Sequence, residues 1–284
     1  MGEYVILFLI SFFSAVSTAN LKKKESVTPM YSPKQAAQRL ADGGVGKAHL
    51  PTGKALVLGV LAGACIALAG FAAAAASAGT PIQKLINACI FPAGLIMTVL
   101  MGAELFTGNC MMVMPLLQRR ISFGKMLRNW VLVYIGNFVG AIAVAAIACF
   151  SGLAAAGTVS GDALTATAAT KCALSFGQAF LRGIGCNVLV CAAVVMAAGA
   201  DTAGGKAACL FFPVMAFVAA GFEHSVANMF YIPAGLFAAA GTQPALTWGR
   251  FLLGNLVPVT LGNIVGGGLL GLIFWVSHLR EAEK

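Results

Sequence analysis

Six apolar stretches, at roughly residues 55–78, 84–117, 129–150, 174–199, 208–237 and 252–278, each reach or exceed the ~20 residues an α-helix needs to cross a bilayer. Only 10% of the 284 residues are charged, whereas 60% are hydrophobic. A soluble domain carries about a quarter charged residues, and a single core stops growing near this chain length. The excess apolar surface therefore calls for lipid rather than a larger core. Membrane-spanning strands would show alternating segments of about ten residues, and these Ala/Gly/Leu/Val runs do not alternate. The chain reads as an all-α membrane protein. A disordered chain, a disulfide-stapled secreted module and an ordinary cytosolic enzyme are excluded.

Charge gives the orientation. Lys22, Lys23, Lys24, Lys34, Arg39, Lys47 and Lys54 precede the first long span, and Arg119, Arg120, Lys125 and Arg128 share one short loop. Lys206, Arg280 and Lys284 fall on the same side, while the opposite loops hold only Lys84, Lys171 and Arg250. The positive-inside bias predicts a multi-pass protein of the cell membrane with both ends of the six-span domain cytoplasmic. The +9 formal charge arises from this bias. No basic stretch is interleaved with aromatics, so no nucleic-acid partner is expected. Eight cysteines lie scattered in apolar segments without a CxxC pair or Cys/His cluster. They read as reduced, packed thiols, and neither a metal nor a cofactor is predicted.

The chain divides into an apolar extension at 1–29, a cytoplasmic helix and linker at 30–54, the six-span domain at 55–280 and a short tail at 281–284. Within the extension, Glu3 rather than a cation precedes the apolar run Tyr4–Ala19, which argues against a signal peptide. It is either an extra anchor or a false start upstream of Met30. Ser32-Pro33 has the form of an N-cap with Pro at the first helical position, and Gly43-Gly44 that of a stop. The helix between them, with Ala36, Ala37, Leu40 and Ala41 on one side, is expected on the membrane surface.

An internal repeat is the strongest clue to function. Glu104-Leu-Phe-Thr107-Gly-Asn109 in span two matches Glu223-His224-Ser-Val-Ala-Asn228 in span five, each with Glu five residues before Asn. Downstream, Asn129, Gly136, Asn137 and Gly140 recur at the same spacing as Asn255, Gly262, Asn263 and Gly266. Three spans per half make the second half cross in the opposite sense. That is a 3+3 inverted repeat, which places a substrate site near the midplane at broken helices. Spans two and five are the ones expected to break. Span two holds Phe91-Pro92-Ala93-Gly94-Leu95, and span five holds Pro213 and the Glu223-His224 pair. Irregular backbone at that depth must be buried in protein or line a cavity.

The same segments carry a family resemblance. Gly102-Ala-Glu-Leu-Phe-Thr107, Asn129-Trp-x3-Tyr134-x-Gly136-Asn137, Gly221-Phe-Glu-His-Ser-Val-Ala-Asn-Met-Phe230 and Asn255-Leu-Val-Pro-Val-Thr-Leu-Gly-Asn263 resemble the formate/nitrite transporter family. The resemblance runs from about Ser32 to the C-terminus. It implies an aquaporin-like fold assembled as a homopentamer with one pore per protomer. It also implies passage of a small monovalent anion such as formate, nitrite, hydrosulfide or lactate, together with a proton. The Asn-Pro-Ala signature of aquaporins is absent. Carried over by position, His224 is the central pore histidine, with Thr107 and Asn187 as polar neighbours. Lys171 corresponds to the lysine of the outer vestibule, Phe91 and Phe217 to the outer constriction, and Leu95 and Leu105 to the inner one. The family has nothing like residues 1–28.

Each residue also has a plainer reading. An ionisable side chain in hydrocarbon is costly, which makes His224 a pore candidate rather than a core histidine, with desolvation favouring its neutral imidazole. It relays a proton, supplies one, or only binds substrate. Glu104 and Glu223, with Asn109 and Asn228, are expected to act structurally at the helix breaks, the carboxylates binding backbone N–H groups or fixing loop geometry. Lys171 is either a solvated lysine of the outer loop or an attractor of anions. The Phe and Leu pairs serve equally as helix packing or as dry necks that stop a bare ion and pass the neutral acid. The sequence thus predicts a proton-linked channel or transporter for small anions, formate foremost. The alternative from another class is a facilitator for neutral solutes. A membrane enzyme is disfavoured by the lack of any metal cluster or nucleophile–base pair.

Overall fold

Glycines set how closely the helices approach. The computed structural model describes residues 30–280, so the 1–29 extension and the 281–284 tail lie outside the described residues. The long helices α2 (Thr52–Ser77) and α7 (Phe123–Phe150) pack face to face, and α9 (Phe176–Ala198) packs in the same way on α12 (Val257–Phe274). At the first crossing, a Cβ on Gly63 would strike the backbone carbonyl of Asn137, and one on Gly140 that of Val60. At the second, Gly262 and Gly266 stand in the same relation to the carbonyls of Phe180 and Ile184. Lipid offers no hydrophobic drive for helix association, so close backbone packing of this kind must supply it.

Among the described residues, six helices are long and apolar enough to cross a membrane. They are α2, the pair α3 (Gln83–Ile90) with α4 (Pro92–Leu100), α7, α9, α10 (Ala203–Ala220), and α12 with its flanking π-helical turns Arg250–Leu256 and Trp275–Leu279. Two shorter apolar pieces complete the bundle. One is α5 (Phe106–Asn109) continuing through a 3-10 turn into α6 (Val113–Leu117), and the other is α11 (Ser225–Ala239). Spans two and five thus each divide into a membrane-length helix and a shorter one.

The divisions do not fall at Pro92 or Pro213. Phe91 keeps helical angles, its N–H still bonds Asn87 O, and Pro92 takes the first position of α4, where its missing N–H costs little. Pro213 lies inside an unbroken α10. Instead the chain leaves the helix at Gly102 (φ 68) and Gly221 (φ 78), both in the left-handed region that a side chain disfavours.

Two further elements differ from expectation. The segment between spans three and four, read as loop, contains the helix α8 (Val159–Cys172), capped by Thr158. The first helix, α1 (Pro33–Ala48), begins as predicted on a Ser32 capping box closed by Gln35. It does not stop at Gly43-Gly44, because Gly44 faces Pro115 so closely that its lack of a side chain makes the contact possible. The Ala36, Ala37 and Ala41 side is buried, with Ala41 against Met111, Met114 and Val195. Protein, not lipid, covers that face. Exposed ion pairs Arg39–Asp201 (3.3 Å) and Arg120–Asp42 (2.6 Å) tie the helix down. The Arg120 guanidinium holds the Asp42 carboxyl below the usual carboxylate range.

Candidate substrate pathway

At both helix breaks the freed backbone is bonded by asparagine. Asn137 on α7 accepts from Phe106 N–H (3.0 Å) and donates to the carbonyls of Gly59 (2.8 Å) and Glu104 (2.9 Å). Asn263 on α12 accepts from Ser225 N–H (2.9 Å) and donates to Gly183 O (2.8 Å) and Glu223 O (3.0 Å). Each amide satisfies three backbone groups that would otherwise stand unpaired at membrane depth. The repeat seen in the sequence is thus also a repeat of hydrogen bonds.

Of the two structural roles expected of the carboxylates, binding backbone N–H groups is not the one the geometry shows. Among the described residues, neither the Glu104 nor the Glu223 side chain bonds a backbone N–H. Glu104 accepts from Lys47 Nζ (3.0 Å) and Asn109 Nδ2 (2.7 Å), and Asn109 Nδ2 also donates to Asn129 Oδ1 (2.9 Å). Glu223 accepts from Lys171 Nζ (2.9 Å) and Asn228 Nδ2 (2.7 Å), and Asn228 Nδ2 donates to Asn255 Oδ1 (2.7 Å). Asn129 and Asn255 close the two clusters by donating to the carbonyls of Lys47 and Lys171 (3.0 and 2.9 Å). Both carboxylates are buried, and each finds a cation at hydrogen-bond distance, as a buried charge requires.

Lys171 is therefore not a solvated loop residue. It sits in the last turn of α8, its side chain only 15% exposed. Lys47, the counterpart in the last turn of α1, escaped the sequence reading. A signal for it exists: Lys47-x2-Leu50-x2-Gly53 recurs as Lys171-x2-Leu174-x2-Gly177. The repeat thus begins with α1 and α8, one short helix ahead of the first span of each half.

His224 forms the N-cap of α11. Its Nδ1 accepts from Ala227 N–H (3.1 Å), and its Nε2 lies 3.0 Å from Thr107 Oγ1 on the opposite break. A nitrogen that accepts carries no proton, so the neutral ring bears its proton on Nε2 and donates it to Thr107. The Thr107 hydroxyl then keeps its own proton for another acceptor. Among the described residues Asn187 makes no hydrogen bond to the imidazole. It donates to Thr107 O (3.1 Å) and Asn263 O (2.6 Å), fixing the backbone behind the pair.

Apolar residues flank the pair on both sides. Phe91 and Phe217 meet edge to face at 5.9 Å, and Phe217 stacks on His224 at 5.9 Å. These two rings border a cavity of about 130 Å³ that also touches Lys171, Glu223, His224 and Tyr231. Leu95 and Leu105 border a second cavity of about 80 Å³, whose polar side is Lys47 and Asn109. Of the predicted residues, Phe91, Phe217, Lys171, Glu223 and His224 border the first cavity and Leu95, Leu105 and Asn109 the second, and Thr107 joins them through its contact with His224. Among the described residues there is no group of three or more His, Cys, Asp or Glu able to hold a metal.

A profile of the family described as "Formate/nitrite transporter" matches residues 34–276. The chain is 43% identical over 259 residues to a "Probable formate transporter" of Methanothermobacter thermautotrophicus, covering 83% of this chain and 92% of that protein. It is 37% identical over 283 residues to the "Formate channel FocA" of Escherichia coli strain K12, covering 92% of this chain and 99% of that one. A solved "Pentameric formate channel with formate bound" superposes with a TM-score of 0.71 at 32% identity, over 81% of this chain and 98% of its own.

Proposed function

Because the chain belongs to the formate/nitrite transporter family, we propose that it carries small monovalent anions, formate first among them, across the cell membrane together with a proton. It is a multi-pass membrane transport protein, not an enzyme. The observation that carries the proposal is the buried His224–Thr107 contact set between two apolar necks, each beyond a lysine–glutamate–asparagine cluster. A bare anion entering the Phe91/Phe217 neck loses its hydration without gaining a counter-charge, which costs many kcal/mol; the neutral acid crosses at far lower cost. The same low dielectric makes the substrate a stronger base, so it takes up a proton at the neck. The Thr107 hydroxyl, accepting from the Nε2–H behind it, then offers a hydrogen bond without a fixed charge.

The protomers form a pentamer in this reading, supported by the pentameric formate channel that the fold resembles. The inverted repeat is supported by the matched asparagine bridges and by three spans in each half. The test is uptake of labelled formate, nitrite, hydrosulfide and lactate by one reconstituted preparation at two external pH values. Formate uptake that rises on acidification, with internal pH tracking it, is the expected result. Vesicles that swell in glycerol but take up none of the anions would instead make the protein a neutral-solute facilitator.

A further inference from the structure

The outer cavity contains polar groups that the transport scheme above does not use. Helical spacing puts Ala227 and Tyr231 on the same face of α11 as its cap His224, and all three border the cavity. Tyr231 is held on several sides. Its ring stacks on Phe91 (6.3 Å, 22° between planes) and meets Phe230 edge on (5.3 Å). The ammonium of Lys171 lies 5.7 Å from its centroid. Gly70 on α2 leaves room for the neighbouring Phe230, to whose ring a Cβ there would come within 3.1 Å.

The hydroxyl is the loose part. It donates to Asn87 Oδ1 at 3.4 Å, the long end of hydrogen bonding, and Asn87 itself borders the cavity. Lys171 offers spare donors at the same place. Among the described residues its Nζ makes one hydrogen bond, to Glu223, whereas Lys47 Nζ makes two in the inner cluster. An ammonium has three N–H groups, so two remain for a ligand.

We propose that Tyr231 and Asn87 form, opposite Lys171, an outer anion-binding site that selects the substrate before the neck. The anion places one oxygen on the free N–H groups of Lys171 and the other against the phenol O–H and the Asn87 amide. A cavity of about 130 Å³ has room for a few water-sized groups, at roughly 30 Å³ each, and therefore for a triatomic anion with part of its hydration. Tyr231 acts on the substrate directly and also backs Phe91, so the captured ion is handed to the neck that Phe91 forms.

This site rests on the anion-transport reading, and the experiment separates the two. Initial rates of formate and nitrite uptake are measured with the full chain in right-side-out and inside-out vesicles, for the wild type, Tyr231→Phe and Asn87→Leu. Tyr231→Phe removes only the hydroxyl and keeps the stack on Phe91. Each variant is expected to raise the half-saturating concentration from the outer face about five-fold, the effect of one hydrogen bond to an anion in a half-wet mouth. Half-saturation from the inner face stays at the wild-type value, while the ratio of maximal rate to half-saturation, which reversibility makes equal from the two faces, changes from both faces alike. Unchanged outer half-saturation in both variants overturns the site alone, as does a fall in maximal rate with half-saturation unchanged at both faces, which marks a packing role. A wild type that carries neither anion overturns the transport reading and this site with it.

Discussion

His224→Asn is the most informative single change, because the hydrogen bonds of the imidazole limit what it can do with a proton. To pass its Nε2 proton to a substrate and remain neutral, the ring must gain a proton at Nδ1. That nitrogen is already accepting from Ala227 N–H, where it caps α11. Protonating it therefore breaks the cap, at a cost of about 1 kcal/mol, and leaves the N–H buried without a partner. A relay through His224 must pass that step in every cycle. Taking a proton from water in the outer cavity requires no such step.

Asn is among the best N-capping residues, so the substituted side chain is expected to hold Ala227 N–H and keep α11 in place. The change removes the Thr107 contact and the ring stacked on Phe217, about 1–2 kcal/mol together for one buried hydrogen bond and a modest void. The assembled protein should survive that loss. His224→Ala is a poorer probe because it also removes the cap. Anion current and a pH-sensitive dye are recorded in the same liposomes. The variant is expected to carry formate about ten-fold more slowly, equivalent to ~1.4 kcal/mol of lost hydrogen bonding at the neck, with the wild-type proton-to-anion ratio. Current that persists while internal pH stops following it would refute this reasoning and make His224 the relay.

Lys171→Gln leaves Glu223 as an unpaired buried carboxylate, so it is expected to lower assembly as well as uptake; the double variant Lys171→Gln/Glu223→Gln, neutral like the native pair, should restore the assembled yield but not the outer half-saturation. Size-exclusion of the solubilised protein beside uptake assays checks both. Gly140→Ala and Gly266→Ala should each lower stability by about 1–3 kcal/mol, because the added methyl meets a backbone carbonyl that cannot move aside. Thermal unfolding in detergent measures this, and a methyl tolerated at either position would show that the crossing is looser than described.

The spans were legible because a bilayer imposes a length and a composition that few other constraints mimic. The repeat was legible because Asn137/Asn263 hold the backbone where it leaves the helix and Glu104/Glu223 hold the paired lysines and asparagines, and that work restricts residue type. The breaks fall beside Glu104 and Glu223, as their pattern suggested, but not at the prolines. Proline draws the eye, yet Pro92 falls where a helix tolerates it, and the turning residues are Gly102 and Gly221. Lys47 was missed for a related reason. Among seven basic residues ahead of the first span its charge looked like orientation bias, and only the fold shows it bonded to Glu104 across the bundle. The α8 helix went unseen because Ala, Thr and Gly between Val159 and Cys172 give no apolar period, so tertiary contact with α11 rather than an amphipathic stripe defines it.

Pairing changes how the lysines act. A lone outer cation would draw anions over about a Debye length, ~10 Å at 0.1 M salt, and uptake would fall steeply as salt is added. With Glu223 at 2.9 Å, the Lys171 cluster has no net charge, and Lys47 with Glu104 at 3.0 Å is the same. From a distance each cluster is a dipole, and its pull fades faster than that of an ion. What the ammonium retains is short range: N–H groups that an anion meets only after it has entered the cavity. The two ends differ in how many are left. At the inner end Lys47 donates to both Glu104 and Asn109 Oδ1. In the Lys171 cluster, among the described residues, Asn228 Oδ1 is buried without a donor and Lys171 Nζ bonds Glu223 alone. One bonding plan, repeated in the two halves of the chain, thus leaves Lys171 with more free N–H groups than Lys47. That difference, rather than net charge, distinguishes the two clusters.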